Sequence, residues 1–571
     1  MAITPLRQLA LLALLALTAA CLVACESDTQ GSRRSDQEAQ WFTDVTASSG
    51  IVFTHEAGVA GEMYLPEIVG AGVALLDVDN DGDLDIYLLN GNRLLPEAGV
   101  SQTHLNRLFV QQPDGRFLDV TEDSGLGDGG YGTGVAAGDL NNDGRVDLYV
   151  ANYGEDRVYL NAGDGVFEDA TAAMGIRVSG WSSSVAICDY DRDGWLDIYV
   201  VRYVDYTPDP CLGGVGQRVY CGPQVRTPFS DVLLHNDGDG TFSDVSAEAG
   251  MTSVAAAGLG VVCEDLDADG WPDIYVANDA SANQLWVNQR DGSFRDTALL
   301  MGAAVNLHGE PEAGMGVLAA DLDNDLDSDL FMTHLYEESN TLYRNLGEAA
   351  GFEDYSSRSG LGLPSIPLTG FGTVAFDADH DGDLDIVVVN GRVKRQNPIV
   401  VTSSNLEDLY GEPNLLFMNQ GDMQFVPAGD GVAEFTSPVE ITRGLAVGDI
   451  DNDGDLDLVL TNVAGMARVY RNDMEAKGHW LKLRLFDPAL NRDALGARVI
   501  VTAGDRRFTR TLGSAASYQS SMPLEVHVGL GNVEHVDGIE VYWPDGEREV
   551  FPGVAANQRL TLHRGQGRVT P

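Results

Sequence analysis

Seven acidic loops constrain what this chain can fold into more than any other feature. They read DVDNDGDLD (77–85), DLNNDGRVD (139–147), DYDRDGWLD (189–197), DLDADGWPD (265–273), DLDNDLDSD (321–329), DADHDGDLD (377–385) and DIDNDGDLD (449–457). A small apolar segment precedes each loop, as in GVALL (72–76) and GLAVG (444–448). A run rich in β-formers follows each, as in IYLLN after the first loop and IVVVN after the sixth. A third segment comes next, from NRLFV (106–110) and RVYLN (157–161) to RVYRN (468–472). A fourth begins with phenylalanine, as in FLDVT (117–121), FSDVS (242–246) and FEDYS (352–356). Short runs of this composition between Gly/Asp/Asn turns predict strands. The unit is four short strands, repeated seven times.

The phase of the repeat carries a second inference. FTDVT (42–46) precedes the first loop, while the last third segment, 468–472, has no successor of that type. Residues 42–46 are therefore expected to complete the last unit and fasten a ring, since radial four-stranded units protect their edges by closing. An open solenoid is the alternative. The expected fold class is all-β: a seven-bladed calcium-binding β-propeller over 41–474, followed by a small β-sandwich over 475–567.

The loop pattern is D-x-D-x-D-G-x-x-D, which brings several oxygens to one point as the glycine turns the chain. The expected metal ligands of the first loop are Asp77, Asp79, Asp81, Asp83 and Asp85. Those of the second are Asp139, Asn141, Asp143, Arg145 and Asp147, and of the third Asp189, Asp191, Asp193, Trp195 and Asp197. The fourth offers Asp265, Asp267, Asp269, Trp271 and Asp273, and the fifth Asp321, Asp323, Asp325, Asp327 and Asp329. The sixth offers Asp377, Asp379, Asp381, Asp383 and Asp385, and the seventh Asp449, Asp451, Asp453, Asp455 and Asp457. The seventh position of each loop is expected to contribute a backbone carbonyl. Hard oxygen donors suit Ca²⁺, whereas the cysteine and histidine that softer metals prefer are absent from the core positions. These are not EF-hands, because the twelfth residue from Asp77 is Leu88 rather than glutamate. Leu326 stands where the other loops have the turn glycine. About seven structural Ca²⁺ ions are expected, their binding energy entering the folding energy.

A net charge of -52 excludes a nucleic-acid phosphate binder as the default reading. At the N-terminus, Arg7 and the apolar run from Leu9 lead to LVAC, which ends at Cys25. That pattern predicts a lipoprotein signal peptide over 1–24, a lipid anchor at Cys25 and a flexible tether over 25–40. Cys211 and Cys221 flank a short loop and are expected to pair. Cys188 and Cys263 precede their loops by one and two residues, so a disulfide between adjacent units competes there with two buried thiols.

After Asn472 the acidic pattern stops, and WLKLRL and RVIVTA alternate as antiparallel strands do. Several basic residues of this region are expected to face outward. The stretches YLPEIVGAGVALLDVDNDGDLDIYLLNG (64–91) and GYGTGVAAGDLNNDGRVDLYVANYG (130–154), with the terminal LGARV, SYQSSMPLEVHVGLG and IEVYWPDG, carry a specific resemblance. The chain resembles bacterial proteins with FG-GAP/VCBS-like repeats followed by an ASPIC/UnbV domain, related to the cartilage acidic protein 1 group. That resemblance covers about 42–565 and implies an extracytoplasmic calcium-binding propeller with a C-terminal β-domain. It carries no catalytic residues onto the chain.

GxSxG, HExxH, Walker and dinucleotide motifs are absent. The serines of GWSSSV (180–185) and SAASYQSS (514–521) read as structural. Two local clusters, His55 with Glu56 and Glu67, and His308 with Glu310 and Glu312, are candidates for a rim site. The excursion 201–231, with Tyr203, Tyr206, Arg218 and Tyr220, suits recognition of a protein or glycan, or else clips neighbouring units together. The expected function is an outer-membrane, lipid-anchored bacterial protein that binds or scaffolds a protein or glycan ligand. The alternatives are a carbohydrate-active hydrolase or lyase and a subunit of a larger surface assembly.

Overall fold

Each acidic loop joins the first two strands of an antiparallel four-stranded sheet. The structure, a computed structural model, describes residues 40–95, 103–213, 216–347, 350–394, 405–475 and 477–569. The expected signal peptide, the lipid anchor at Cys25 and all of the tether but Gln40 lie outside the described residues. Sheet one comprises Val73–Leu76, Asp85–Leu88, Arg107–Gln111 and Phe117–Asp119, paired in that order. Sheets two to six repeat this plan, beginning at Gly132–Gly138, Ser179–Cys188, Gly258–Glu264, Val317–Ala320 and Gly370–Phe376. Sheet seven is Thr442–Gly448, Asp457–Asn462 and Arg468–Asn472, completed by Phe42–Asp44. In that last pairing Phe42 lies opposite Asn472 and Asp44 opposite Tyr470. The first strand of each sheet touches that of the next, and that of sheet seven touches that of sheet one.

The FxDVT signature has a local cause. In sheet one the Asp119 carboxylate accepts from Thr121 N at 3.0 Å and starts a one-turn helix, Thr121–Ser124. Thr121 Oγ1 then accepts from Leu108 N at 3.0 Å, standing in for the missing strand bond. Thr46, Thr171, Ser246 and Ser356 accept in the same way from Val469, Val158, Leu233 and Leu342. The phenylalanines at these starts, among them Phe42, Phe117 and Phe242, are buried between sheets.

The C-terminal strands form two sheets. His479–Asp487 pairs Val526–Gly531 antiparallel and Gln558–His563 parallel. Arg498–Ala503 sits between Arg506–Thr511 and Gly538–Tyr542, and Arg548–Pro552 follows. Leu481, Leu483, Val499, Val501, Val541 and Trp543 lie in one core that continues into Ile187 and Ile198 of sheet three. The C-terminal strands therefore belong to the same compact unit as the seven sheets.

Between these two sheets, SAASYQSSM leaves the C-terminal region and runs against the first strands of the repeat sheets. Ser517 exchanges backbone hydrogen bonds with Val317 at 2.9 and 3.0 Å. Ser517 Oγ accepts from Thr373 N, Gln519 O from Val135 N, and Ser521 Oγ from Ala137 N. Ser521 also pairs with Ala74. The approach is so close that a Cβ on Gly72 would stand 1.7 Å from Gln519 O. These serines are structural, and they join the end of the chain to sheets one, two, five and six.

Candidate metal centre

Each loop folds on its own carboxylates before any cation is considered. Asp77 Oδ1 and Oδ2 accept from Asp81 N and Gly82 N at 3.1 and 3.0 Å. Asp79 and Asp81 accept from the amides two residues on. The fourth loop residue is left-handed throughout, from Asn80 at φ 60° to Asn452 at φ 60°. At the fifth loop's turn, Leu326 adopts φ 81°, where glycine serves the other loops without strain.

The last aspartate ties the loop to its sheet. Asp85 accepts from Val78 N and from Gln111 N, at the end of the third strand. The same pair of bonds recurs at Asp147, Asp197, Asp273, Asp329, Asp385 and Asp457, with asparagine as the third-strand partner. That partner's side chain then crosses to the preceding sheet. Asn161 donates to Val78 O, Asn236 to Leu140 O, Asn288 to Tyr190 O and Asn345 to Leu266 O, at 2.8–3.0 Å. Asn419 donates to Leu322 O and Asn472 to Ala378 O, both at 3.0 Å. Gln111, with one more methylene, donates to Ile450 O of the seventh loop at 2.7 Å. Sequence reasoning missed these residues. The visible signal is the amide side chain that ends all seven third strands.

The loops gather carboxylates to a point. Asp77, Asp79 and Asp85 each offer an oxygen within 4.8 Å of the others, as do Asp189, Asp191 and Asp193, Asp265, Asp267 and Asp269, and Asp321, Asp323 and Asp325. A further set joins Asp191 and Asp197 to His235 of the third strand. Asp189 Oδ1, Asp377 Oδ1 and Asp449 Oδ1 are buried and accept no hydrogen bond among the described residues. Burial is the largest cause pushing Asp85 and Asp197 up to about 7, and Asp147 and Asp377 up to about 8. Crowded, desolvated carboxylates with unfilled oxygens fit a hard divalent cation, which would supply the missing positive charge.

The C-terminal region lies against this loop face and turns part of its basic residues toward it, while others, such as Arg507 and Arg568, are exposed. Lys482 Nζ is 2.7 Å from Asp449 Oδ2, and Arg492 Nη2 is 3.6 Å from Asp189 Oδ2. Arg559 donates to Gly82 O, and Arg506 to Asp381 O and Asp383. His527 Nε2 lies 2.9 Å from Gly454 O. Arg510 faces both Asp321 and Asp377 and lowers each of them against the effect of burial. Alternating strands have two faces, and composition alone does not say which one meets the repeat sheets.

The other candidates resolve differently. Cys188–Cys263 and Cys211–Cys221 are both disulfides, the first joining sheets three and four. Tyr203 and Tyr220 of the excursion are buried. Tyr203 donates to Asp279 at 2.5 Å, Tyr206 Oη accepts from Leu65 N, and Arg218 pairs with Glu62. The described part of the excursion thus acts as a clip between neighbouring elements. His55 and Glu67 are buried and bond to backbone, His55 Nδ1 to Ala464 N and Glu67 Oε1 to Ala60 N. His308 is exposed, and Glu312 accepts from Thr341.

An FG-GAP-like repeat family matches residues 77–150, 139–200, 225–276, 265–332 and 321–388, and an ASPIC and UnbV family matches 487–569. Cartilage acidic protein 1 of Mus musculus is 27% identical over 494 residues, covering 83% of this chain and 61% of the relative. That of Homo sapiens is 26% identical over 536 residues, covering 89% and 74%. The chain thus spans about 61% of the length of the first of these relatives. An Agrocybe aegerita lectin that recognises non-reducing terminal N-acetylglucosamine is 15% identical, covering 71% of this chain and 94% of its own, at TM-score 0.37. The BBS1N–ARL6DN complex gives 10% identity, 72% and 96% coverage and TM-score 0.41. Scores this low carry no inference.

The relatives correct two expectations. They are vertebrate proteins, so the repeats and the C-terminal region do not mark a bacterial family. The placement in a bacterial outer membrane falls with it, because it was drawn from a short N-terminal pattern joined to that resemblance. Among the described residues no helix is long and apolar enough to cross a membrane. The FG-GAP-like matches together cover half of the chain, and the protein belongs to the FG-GAP-like repeat family.

Proposed function

We propose that this protein is a calcium-stabilised binding or scaffold module, built as a closed seven-bladed propeller (41–474) with a C-terminal β-sandwich (475–567) docked on its loop face. The unfilled buried oxygens of Asp189, Asp377 and Asp449 carry the calcium reading. Closure is supported by the Phe42–Asp44 pairing and by Gln111 reaching Ile450 O. Residues at positions one, three, five and nine of each loop would hold Ca²⁺, with the seventh-position carbonyl. The two disulfides support an oxidising compartment.

The ligand is a protein or a glycan. The loop face is occupied by the chain's own C-terminal region, so the partner is taken on the opposite face or the outer rim. The deciding experiment measures calcium content and thermal unfolding of the whole protein before and after chelation. About seven ions per chain and a large loss of stability on chelation are expected. Few ions and an unchanged transition would sink the calcium reading.

A further inference from the structure

The residue just before the anchoring amide of each third strand is apolar in four sheets: Val110, Leu160, Val287 and Met418. In sheets three, five and seven it is His235, Arg344 and Arg471. Arg344 shows where this position points. Its Nη2 lies 2.6 Å from Asp323 Oδ2 and 3.8 Å from Asp325 Oδ2, the third and fifth residues of loop five. In sheet three the same position brings an imidazole to the loop. His235 Nδ1 stands 3.5 Å from Asp191 Oδ2 and 3.2 Å from Asp197 Oδ1. The His235 side chain is 25% exposed, with Nδ1 itself buried against the two carboxylates.

We propose that loop three is a mixed nitrogen–oxygen site for a borderline transition dication of the zinc class, held by Asp191, Asp197 and His235. The three donor atoms lie within 4.8 Å of one another. A second observation points to a ligand in the same loop. Asp189, whose side chain is 4% exposed, keeps one oxygen without a hydrogen bond among the described residues, and its carboxylate groups with Asp191 and Asp193. Imidazole nitrogen beside carboxylate oxygen selects zinc-like ions over calcium, whereas the oxygen-only loops select the reverse. The Cys188–Cys263 disulfide adjoins Asp189 and fixes the start of the loop. The proposal rests on the loops being cation sites but not on the ion in the other six being calcium; it replaces calcium in loop three alone and so lowers the expected calcium count to about six.

The test uses the whole protein, saturated with Ca²⁺ and then titrated with Co²⁺, with Zn²⁺ as competitor. One Co²⁺ should bind with visible ligand-field bands of nitrogen coordination, and Zn²⁺ should remove them. In His235→Val, the residue sheets one and four carry there, the bands should vanish. Affinity should fall by at least the roughly 10–100-fold that loss of an outer-shell partner costs. His235→Gln, which keeps the side chain polar, should do the same while far-UV circular dichroism confirms its fold. Co²⁺ binding that is absent, or equal in wild type and both variants, would overturn the proposal and leave His235 as a counter-ion of Asp197. A histidine-dependent Co²⁺ site in a protein that binds no Ca²⁺ would uphold it while sinking the calcium reading.

Discussion

Gln111 Nε2 donates to Ile450 O at 2.7 Å, from the first sheet of the chain to the loop of the last. Asparagine makes this bond between every other pair of neighbours, and glutamine makes it between sheets seven and one, which the backbone also joins through residues 45–72. Both groups are buried. Gln111→Ala should leave the Ile450 carbonyl unsatisfied and cost about 1–3 kcal/mol, read from denaturant unfolding. Gln111→Asn should recover little if the extra methylene is what spans the gap.

Phe42 anchors the strand that completes sheet seven. It is fully buried, with its ring centroid 6.4 Å from Phe376 and 6.1 Å from Phe435. Phe42→Ala should cost about 3–5 kcal/mol. A loss below about 1 kcal/mol would mean that the terminal strand is dispensable.

The pH response should change sign with calcium. In the cation-free protein, burial pushes Asp147 and Asp377 up to about 8, against roughly 3.9 for an unfolded aspartate. The folded state therefore binds these protons more tightly. It is favoured below about pH 4, and that stability is lost as pH rises through 4–8. With Ca²⁺ present, a rise in pH should stabilise, because metal entry needs deprotonated ligands. Melting temperatures across pH 4–8, with chelator and with calcium, check both slopes. Parallel slopes would refute the coupling.

Lys482 and Asp449 form a buried ion pair at 2.7 Å, with side chains 3% and 1% exposed. Lys482→Met should destabilise by about 3–5 kcal/mol, because it strands a buried carboxylate. With chelator present throughout, so that Asp449 holds no calcium in any protein compared, the double variant Lys482→Met/Asp449→Leu should recover part of that loss. Urea unfolding of the wild type and both variants measures the difference.

Gly72→Ala would place a methyl group against Gln519 O and should displace the 514–521 segment. A cost of about 1–3 kcal/mol is expected, with faster proteolysis near Tyr518. An unchanged cleavage pattern would show that the segment yields without leaving.

The repeat sheets were legible because their causes are local. Alternation, turn residues and the FxDVT capping bond all act within a few residues, so the strands at Asp85–Leu88 or Asp457–Asn462 follow from their own neighbourhoods. The pairing of Phe42–Asp44 with Arg468–Asn472 was legible from phase. What escaped notice depends on partners distant in sequence. His235 is 38 residues beyond Asp197, and only the strand register brings it to the loop. Lys482 and Arg492 alternate as any strand residue does, and nothing near them shows that they face aspartates. The serines of 514–521 look like an ordinary polar turn until the first strands appear around them.

The pairing of Phe42–Asp44 with Arg468–Asn472 also sets a schedule. A ribosome releases the first of these strands on the order of tens of seconds before the second, at roughly 5–20 residues per second. Throughout that interval the outer strand has no seventh sheet to join, and the phenylalanine at its head has no completed pocket. The segment that knits the first strands together, 514–521, emerges later still. Six sheets can assemble as they are made, but the molecule is finished from its two ends at once. A nascent chain stalled before residue 468 should therefore depend on chaperones more than one released whole.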